Sequence, residues 1–358
     1  MKILITIWHP GQFHYFKFIA QKLQNNGHSI LLFVRDKECI VDLVKTSGFN
    51  YELYGKAGDN MLSKFTHIFS IESRLLSVSL KFKPDIFLTF GNFYAGHVAF
   101  LLRKPHISLT DTEHAKLARK LNNPFASIIL TPYVWNADIL KKQILFKSLM
   151  ETFYLNNKYF DPDTNVFEKL NLTNQDKYCV IRFISWNAHH DVGLNGLTYQ
   201  NKLDIVNKIK EKCNVYISSE GELPEELEIY RLRTHPSQFH SVINYATLCI
   251  SEGSTTASES AILGTPTIYV NPLKVSNCDE EEKYDLLYQS TNVDTVINKA
   301  LEILDTIDVK VLYRERQERF ISKMIDANDL IVWLIENYPQ SKNILLTNPE
   351  YQEHFKLN

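Results

Sequence analysis

Short apolar runs alternate with amphipathic stretches along this chain, and that alternation restricts the possible folds more than any other feature of the sequence. Residues 2–8 (KILITIW) and 29–35 (SILLFVR) have the composition of buried strands. Between them, FHYFKFIAQKLQNNGH places apolar side chains at helical spacing and ends at Asn26 and Gly27, a typical helix stop. Strand, helix and strand in this order predict a parallel sheet with helices on its faces.

The same alternation recurs later in the chain. Residues 84–110 contain the predicted strands PDIFLTF and PHISLT on either side of a glycine-led helix. After residue 178, YCVIRFIS, NVYISSE and TLCIS are predicted strands with helices between them. The intervening residues 156–177 are polar and rich in turn formers, which is typical of a linker.

We therefore predict an α/β protein with two Rossmann-like parallel-sheet domains, in agreement with a length of 358 residues. The predicted ranges are 1–155 for the N-terminal domain, 156–177 for the linker, 178–335 for the C-terminal domain and 336–358 for a helical tail that returns towards the first domain. Ligands of such sheets bind at the carboxyl ends of the strands, so we expect the site in a cleft between the domains.

The composition of the chain limits the kinds of molecule that it is expected to bind. With 39 basic and 41 acidic residues and no arginine-rich arm, the chain is not expected to bind nucleic acid. Its five cysteines form no CxxC pair, which indicates reduced, structural thiols. The start MKILITIW is too short an apolar segment for a signal peptide, and no run approaches the about 20 residues of a membrane helix. We expect a cytoplasmic protein; peripheral association with the inner face of the plasma membrane is left open.

The most informative stretch is SEGSTTASESAILGTPTIYVNP, residues 251–272. Gly253 permits a sharp turn and close approach of a ligand after a predicted strand. A predicted helix then begins with three small hydroxyl residues, Ser254, Thr255 and Thr256. The amides and positive dipole end of such a helix suit a phosphate or diphosphate. The alternative is a capping box, in which Glu259 only closes its own helix end.

Neighbouring residues supply the rest of a nucleotide site. His235 and Phe239 are candidates to contact a base, and Glu259 to accept both hydroxyl hydrogen bonds of a ribose. Arg182, in the predicted strand VIRFIS, is suited to neutralise a diphosphate. Ser219 and Glu220 follow the next strand and either line the pocket or form a simple turn. The run of polar residues 187–191 has no second cluster at ligand spacing, so we predict no metal site.

Several of these segments resemble known families. The C-terminal half is similar to the donor domain of GT-B glycosyltransferases and to UDP-GlcNAc 2-epimerase. KPDIFLTFGNFYAGHVAFLLRKPHISLTDTEH resembles the lipid-linked UDP-GlcNAc transferase of peptidoglycan synthesis. IWHPGQFHYFKFIAQKLQNNGH, VIRFISWNAHHDVG, SSEGELPEELEIY and SEGSTTASESAILGTPTIYV look like a family of predicted glycosyltransferases of unknown specificity from prokaryotic surface-polysaccharide loci, over nearly the whole chain.

The resemblance implies a GT-B fold, with an acceptor-side domain and a nucleotide-sugar donor domain facing across a cleft. It implies transfer of a sugar from a nucleotide diphosphate donor, UDP in the first instance, to a saccharide or lipid-linked acceptor. The diphosphate would lie on residues 253–256 and the ribose on Glu259, with no cofactor besides the nucleotide sugar. The alternatives are a nucleotide-sugar epimerase like UDP-GlcNAc 2-epimerase and a non-catalytic nucleotide-sugar-binding protein.

Two places hold candidate catalytic residues. His14 follows the loop HPGQF at the position that faces the acceptor in the resembling proteins, where a histidine can take a proton near neutral pH. Its alternative role is capping or packing. Glu113 and His114 follow the predicted strand PHISLT, and acidic residues in this region of the resembling epimerase take part in chemistry. Here the alternative is a helix start, with Asp111 as the N-cap and His114 in the first turn.

Overall fold

The structure is a computed structural model that describes residues 1–36, 40–54, 61–184 and 196–357. The chain divides into two compact units, Met1–Tyr154 with Met324–Asn358, and Leu155–Lys323. The segment predicted as a linker, 156–177, belongs to the second unit. The part of the chain that rejoins the first unit begins at Met324, ahead of the tail predicted from residue 336.

The first unit contains a seven-stranded sheet in the order β3-β2-β1-β4-β5-β6-β7, with every neighbouring pair parallel. Its strands are β1 Lys2–Ile7, β2 Ser29–Arg35, β3 Tyr51–Tyr54, β4 Ile86–Phe90, β5 His106–Leu109, β6 Ile128–Pro132 and β7 Gln143–Phe146. The strand order reverses between β1 and β4, which is the usual ligand-binding position of an open parallel sheet.

The second unit contains a five-stranded sheet in the order β12-β11-β10-β8-β9, again with parallel pairs. Its strands are β8 Tyr178–Phe183, β9 Asn214–Ser219, β10 Leu248–Ser251, β11 Thr267–Tyr269 and β12 Leu287–Gln289. All four residues of β10 are buried, because helices cover both faces of such a sheet. The two parallel-sheet α/β domains confirm the predicted fold class.

Sixteen α-helices are found in the described ranges. They are α1 Pro10–Asn25, α2 Ile40–Thr46, α3 Met61–Phe82, α4 Phe93–Leu101, α5 Lys116–Asn122, α6 Thr152–Leu155, α7 Val166–Lys169, α8 Tyr199–Ile209, α9 Glu225–Glu228, α10 Phe239–Tyr245, α11 Ser254–Ile262, α12 Ser276–Glu282, α13 Val293–Asp305, α14 Val309–Ile321, α15 Ala327–Glu336 and α16 Gln340–Thr347. Three 3₁₀ helices are Asn123–Phe125, Pro236–Gln238 and Pro349–Phe355. None of the helices in these ranges has the length and apolarity needed to span a membrane.

Helix α1 shows how local sequence fixes an element. The side chain of His9 accepts a hydrogen bond from the amide of Gly11, and Pro10 is the first helical residue, where its missing N–H costs nothing. Phe13, Phe16 and other apolar residues at helical spacing face the core. The helix therefore covers the sheet as the sequence predicts.

The returning segment is bonded into the first unit. The Lys22 ammonium of α1 lies 2.6 Å from Asp329 of α15. The Asn328 side-chain amide donates to the carbonyl of Phe153 at 2.9 Å. Asp326 accepts from two amides at the start of α15 and so caps it. The first unit is thus built from both ends of the chain.

Candidate functional site

The carboxyl edge of the second unit's sheet gathers several predicted donor-binding residues. Arg182 of β8 lies in register with Ser218 of β9 and Ser251 of β10. Its guanidinium donates to Ser218 Oγ at 2.8 Å and to Glu220 Oε1 at 2.7 Å. The same group lies 6.0 Å from the ring centroid of Phe239, within cation–π range. Side chains from the end of β9 and from α10 therefore orient one half-buried arginine.

Helix α11 begins beside this arginine. The amide of Glu252 donates to the carbonyl of Arg182 at 3.0 Å, which places the β10–α11 turn against the end of β8. Gly253 is the N-cap, and a Cβ there would lie only 3.2 Å from Ile184 Cγ2. At the start of the helix, Ser254 is half-buried and Thr255 is exposed. The first amides of α11 and the Arg182 guanidinium thus lie at one edge of the sheet, as an anion site requires.

The capping-box alternative is wrong. The helix starts after Gly253 without a side-chain cap, so Thr256 is its third residue and cannot be the N-cap. Glu259 lies in the middle of the helix and is buried. Its Oε1 is 2.9 Å from Nε2 of His240 on α10, with both side chains at least four-fifths covered. The carboxylate predicted to hold a ribose is therefore fixed by an imidazole from the neighbouring helix.

Two further predicted donor-binding residues, Ser219 and His235, make local contacts in the structure. The hydroxyl of Ser219 donates to the carbonyl of Gly221 at 3.1 Å, which is the contact of a simple turn. His235 is exposed and caps the 3₁₀ helix Pro236–Gln238 by accepting from the amide of Ser237. The polar residues 187–191 lie outside the described residues.

The sequence interpretation missed Glu252. This carboxylate is buried and accepts from the amides of Ile184 at 3.2 Å and Leu197 at 2.8 Å. It therefore ties together the chain on either side of residues 185–195, next to Arg182. A buried glutamate directly after an apolar strand was a usable signal, because such a group must be paired.

In the first unit, His14 lies in the second turn of α1 and is half-buried. Its ring stacks on Tyr154, with centroids 5.2 Å apart and planes at 25°. This is the packing contact of the alternative interpretation, and it also holds the imidazole in one orientation. Its role as a base stays a prediction.

The segment after β5 does not begin a helix where the alternative placed it. Helix α5 starts at Lys116 with Ala115 as its N-cap residue, so Asp111 is not the N-cap and His114 is not in the first turn. Asp111 accepts from the Thr112 hydroxyl at 2.9 Å, and burial followed by the nearby Glu113 charge raises the pKa of Asp111. Glu113 accepts from the amide of Asn136 at 2.7 Å, and His114 is exposed.

A family model matches almost the entire chain. The family described as "Protein of unknown function (DUF354)" covers residues 1–339. The chain belongs to this family. A curated relative, "Uncharacterized protein MJ0665" of Methanocaldococcus jannaschii, is 26% identical over 319 residues, covering 83% of this chain and 90% of the relative.

Solved structures similar to this family member include UDP-GlcNAc 2-epimerases and glycosyltransferases. The UDP-GlcNAc 2-epimerase from Neisseria meningitidis bound to UDP-GlcNAc has a TM-score of 0.65 at 14% identity, covering 94% of this chain and 100% of that one. The S. aureus MnaA–UDP co-structure has a TM-score of 0.69 at 14% identity, covering 95% and 97%. SsfS6, a Streptomyces sp. SF2575 glycosyltransferase, has a TM-score of 0.60 at 14% identity, covering 94% and 100%. These similarities confirm the predicted resemblance to GT-B proteins at the level of the fold.

Proposed function

We propose that the protein is a metal-independent glycosyltransferase that moves a sugar from a nucleoside diphosphate donor, first of all UDP, to a saccharide or lipid-linked acceptor in surface polysaccharide biosynthesis. One observation carries the proposal: the guanidinium of Arg182 and the glycine-led start of α11 lie at the same carboxyl edge of the second unit's sheet. Fold relatives solved with UDP or UDP-GlcNAc support the choice of donor.

The chemistry proposed for the donor side is stabilisation of a leaving diphosphate. The first amides of α11 would donate to phosphate oxygens, and the Arg182 guanidinium would neutralise the charge that develops as the glycosidic bond breaks. Ser218 and Glu220 hold that guanidinium in place, so little reorganisation is needed. Glu259, oriented by His240, would accept from the ribose hydroxyls, since a carboxylate can accept several hydrogen bonds at once.

For the acceptor side, we propose His14 as the general base that removes the proton of the attacking hydroxyl. Its ring is fixed by Tyr154, and an imidazole titrates in the range where such transfer is efficient. Glu113 and His114 are the second choice for this role. They follow β5 at the carboxyl edge of the first unit's sheet.

Epimerisation of a nucleotide sugar is the second candidate function. It is favoured by the UDP-GlcNAc 2-epimerases among the fold relatives and by the position of Asp111 and Glu113 directly after β5, where carboxyl groups can serve as acid and base. Incubation with UDP-GlcNAc alone separates the two functions. Release of the 2-epimerised sugar without an acceptor supports epimerisation. A donor that stays unchanged on its own and is consumed only after an acceptor is added supports transfer.

The donor site is tested by calorimetric titration of the wild type with UDP, GDP, dTDP and CDP, followed by Arg182→Ala with the nucleotide that binds. Loss of a charge-assisted contact to phosphate should weaken binding roughly 10- to 100-fold. Arg231→Ala is the matched control. Arg231 is also in the second unit and is also paired with a glutamate, Glu228, at 2.6 Å, so its loss should change affinity less than about twofold.

Failure of every nucleotide to bind the wild type would remove both catalytic proposals. Equal losses in the two arginine variants would show that Arg182 has no special contact with the donor.

A further inference from the structure

A large cavity opens in the first unit beside helix α5. Its volume is about 1080 Å³, and it lies between α5, the loop that precedes β7, and α16. Its lining is unusually basic and comprises Lys116, Arg119, Lys120, Lys141, Lys142 and Lys342, with Asp138 as the single acidic residue. Such a lining creates a positive potential that selects an anionic occupant.

Most of these cations have no acidic partner among the described residues. In the part of the chain that the structure describes, Lys116, Lys120, Lys141 and Lys342 take part in no ion pair. Lys142 donates to the carbonyls of Pro124 and Ala126, so it has a structural role. Burial, followed by the nearby charge of Lys342, lowers the pKa of Lys142. Positive groups from separate elements therefore face one another across the cavity.

Exposed apolar side chains lie next to this basic cavity. Leu117 and Leu121 are four residues apart on α5, so they share one face, and they are 72% and 38% exposed. Ile139 lies between two residues that line the cavity and is 59% exposed. Phe100, at the end of α4, is 68% exposed, and its ring centroid lies 5.4 Å from that of Phe125. Apolar groups beside lysines match the interface between lipid headgroups and acyl chains.

We propose that the basic cavity and these apolar side chains form a docking surface for an anionic membrane, with lipid phosphate groups in the cavity. The charge of the lining selects this occupant over a neutral lipid or an acidic protein face with no acyl layer, because only an anionic bilayer offers phosphates and an apolar layer together. The inference does not depend on sugar transfer.

The position of the basic cavity connects the docking surface with the carboxyl edge of the first unit's sheet. A smaller cavity of about 120 Å³ lies at the carboxyl ends of β4 and β5 and is lined by Gly91, Thr110 and Thr112, among others. Arg119 and Asn123 line both cavities. A lipid phosphate held at α5 would therefore lie beside the segment that carries Glu113, which the proposed function places on the acceptor side.

The test is flotation of the full chain with vesicles of phosphatidylcholine alone and of an equimolar mixture of phosphatidylcholine and phosphatidylglycerol. We expect binding to the mixed vesicles only, weakening as salt is added. Replacing Lys120, Lys141 and Lys342 together by Gln should lower the partition coefficient by about fivefold per charge, on the order of 100-fold in total. The control replaces Lys45, Lys81 and Lys210, which are exposed elsewhere, by Gln and has the same net charge.

A second variant tests the apolar part. Leu117→Ser with Leu121→Ser should reduce binding at high salt more than at low salt, because only the charged contacts are screened. Three results would overturn the proposal: no binding of the wild type to mixed vesicles, equal losses in the two lysine variants, or binding of inorganic phosphate or a short RNA without binding of vesicles. No nucleotide sugar is present in this assay, so its outcome is independent of the donor test.

Discussion

His106, a single residue of β5, carries a titratable group into the core of the first unit. It is fully buried, and its Nε2 lies 2.8 Å from the Thr89 hydroxyl. Burial lowers its pKa from the ordinary 6.5 to about 3. The unfolded chain therefore binds a proton between these values that the folded chain does not, so this residue makes stability fall as the pH drops below about 6.5.

We predict that the wild type loses on the order of 1 kcal/mol per pH unit through His106 between about pH 6 and pH 4. His106→Gln cannot titrate, so its free energy of unfolding should depend less steeply on pH, whatever its absolute stability. Urea denaturation at several pH values measures both slopes. His354→Gln removes an exposed histidine and should leave the wild-type slope unchanged; identical slopes for wild type and His106→Gln would contradict the argument.

Residue types at strand ends were predictable, but their partners were not. Arg182 and Glu220 were candidates because strand ends of parallel sheets meet at one edge, and Phe239 because its segment could contact a base. Ser218 as the partner of Arg182 depends on the register of β8 and β9, which no local pattern in the sequence fixes. His240 as the partner of Glu259 depends on how α10 packs against α11.

At the scale of elements, the stability of the buried helix α11 depends on the residue at its C-terminal end. Gly264 follows the helix with φ +68°, a conformation that costs other residues roughly 1–2 kcal/mol. A Cβ there would also lie 3.0 Å from Arg314 Cδ and 3.4 Å from its Cα on α14. We predict that Gly264→Ala lowers the free energy of unfolding by roughly 1–3 kcal/mol, measured by urea denaturation.

Gly221→Ala is the matched control. A Cβ at Gly221 meets nothing within 4 Å in the described residues, and its φ lies outside the left-handed region. This variant should remain within about 0.5 kcal/mol of the wild type. If both variants are equally stable, α11 does not need a glycine at its end.

Element identity was easier to predict than element ends. The strands and α1 follow from apolar runs and helical spacing, which depend on burial alone. The start of α11 at Ser254 follows the prediction, but the alternatives that made Asp111 and Thr256 the N-caps were wrong, because these capping side chains lie away from the caps. Ala115 and Gly253 take those positions instead, without a side-chain hydrogen bond. For α11, a Cβ at position 253 would lie only 3.2 Å from Ile184 Cγ2, which favours glycine as the cap residue.

At the scale of the whole molecule, two parallel sheets follow from the alternation of strand and helix patterns. The same alternation does not show how the C-terminal region is divided between the two units. The apolar face of α15 predicts burial but does not say against which sheet, and the structure assigns the chain from Met324 onward to the first unit. The ion pair between Lys22 and Asp329 joins positions that are 307 residues apart, a relation that local sequence cannot reveal.

Removing residues 324–358 should therefore unfold the first unit while sparing the second. Helix α15 contributes four fully buried side chains, Leu330, Ile331, Leu334 and Ile335. Each contributes about 1.5–3 kcal/mol by burial, and their sum is comparable to the whole stability of a domain. Hydrogen exchange followed by mass spectrometry on a chain ending at Lys323 should show lost protection in 1–154 and retained protection in 155–323. A peptide of residues 324–358 added in trans should restore it, whereas unchanged protection of 1–154 in the truncated chain would mean that the first unit folds without its returning segment.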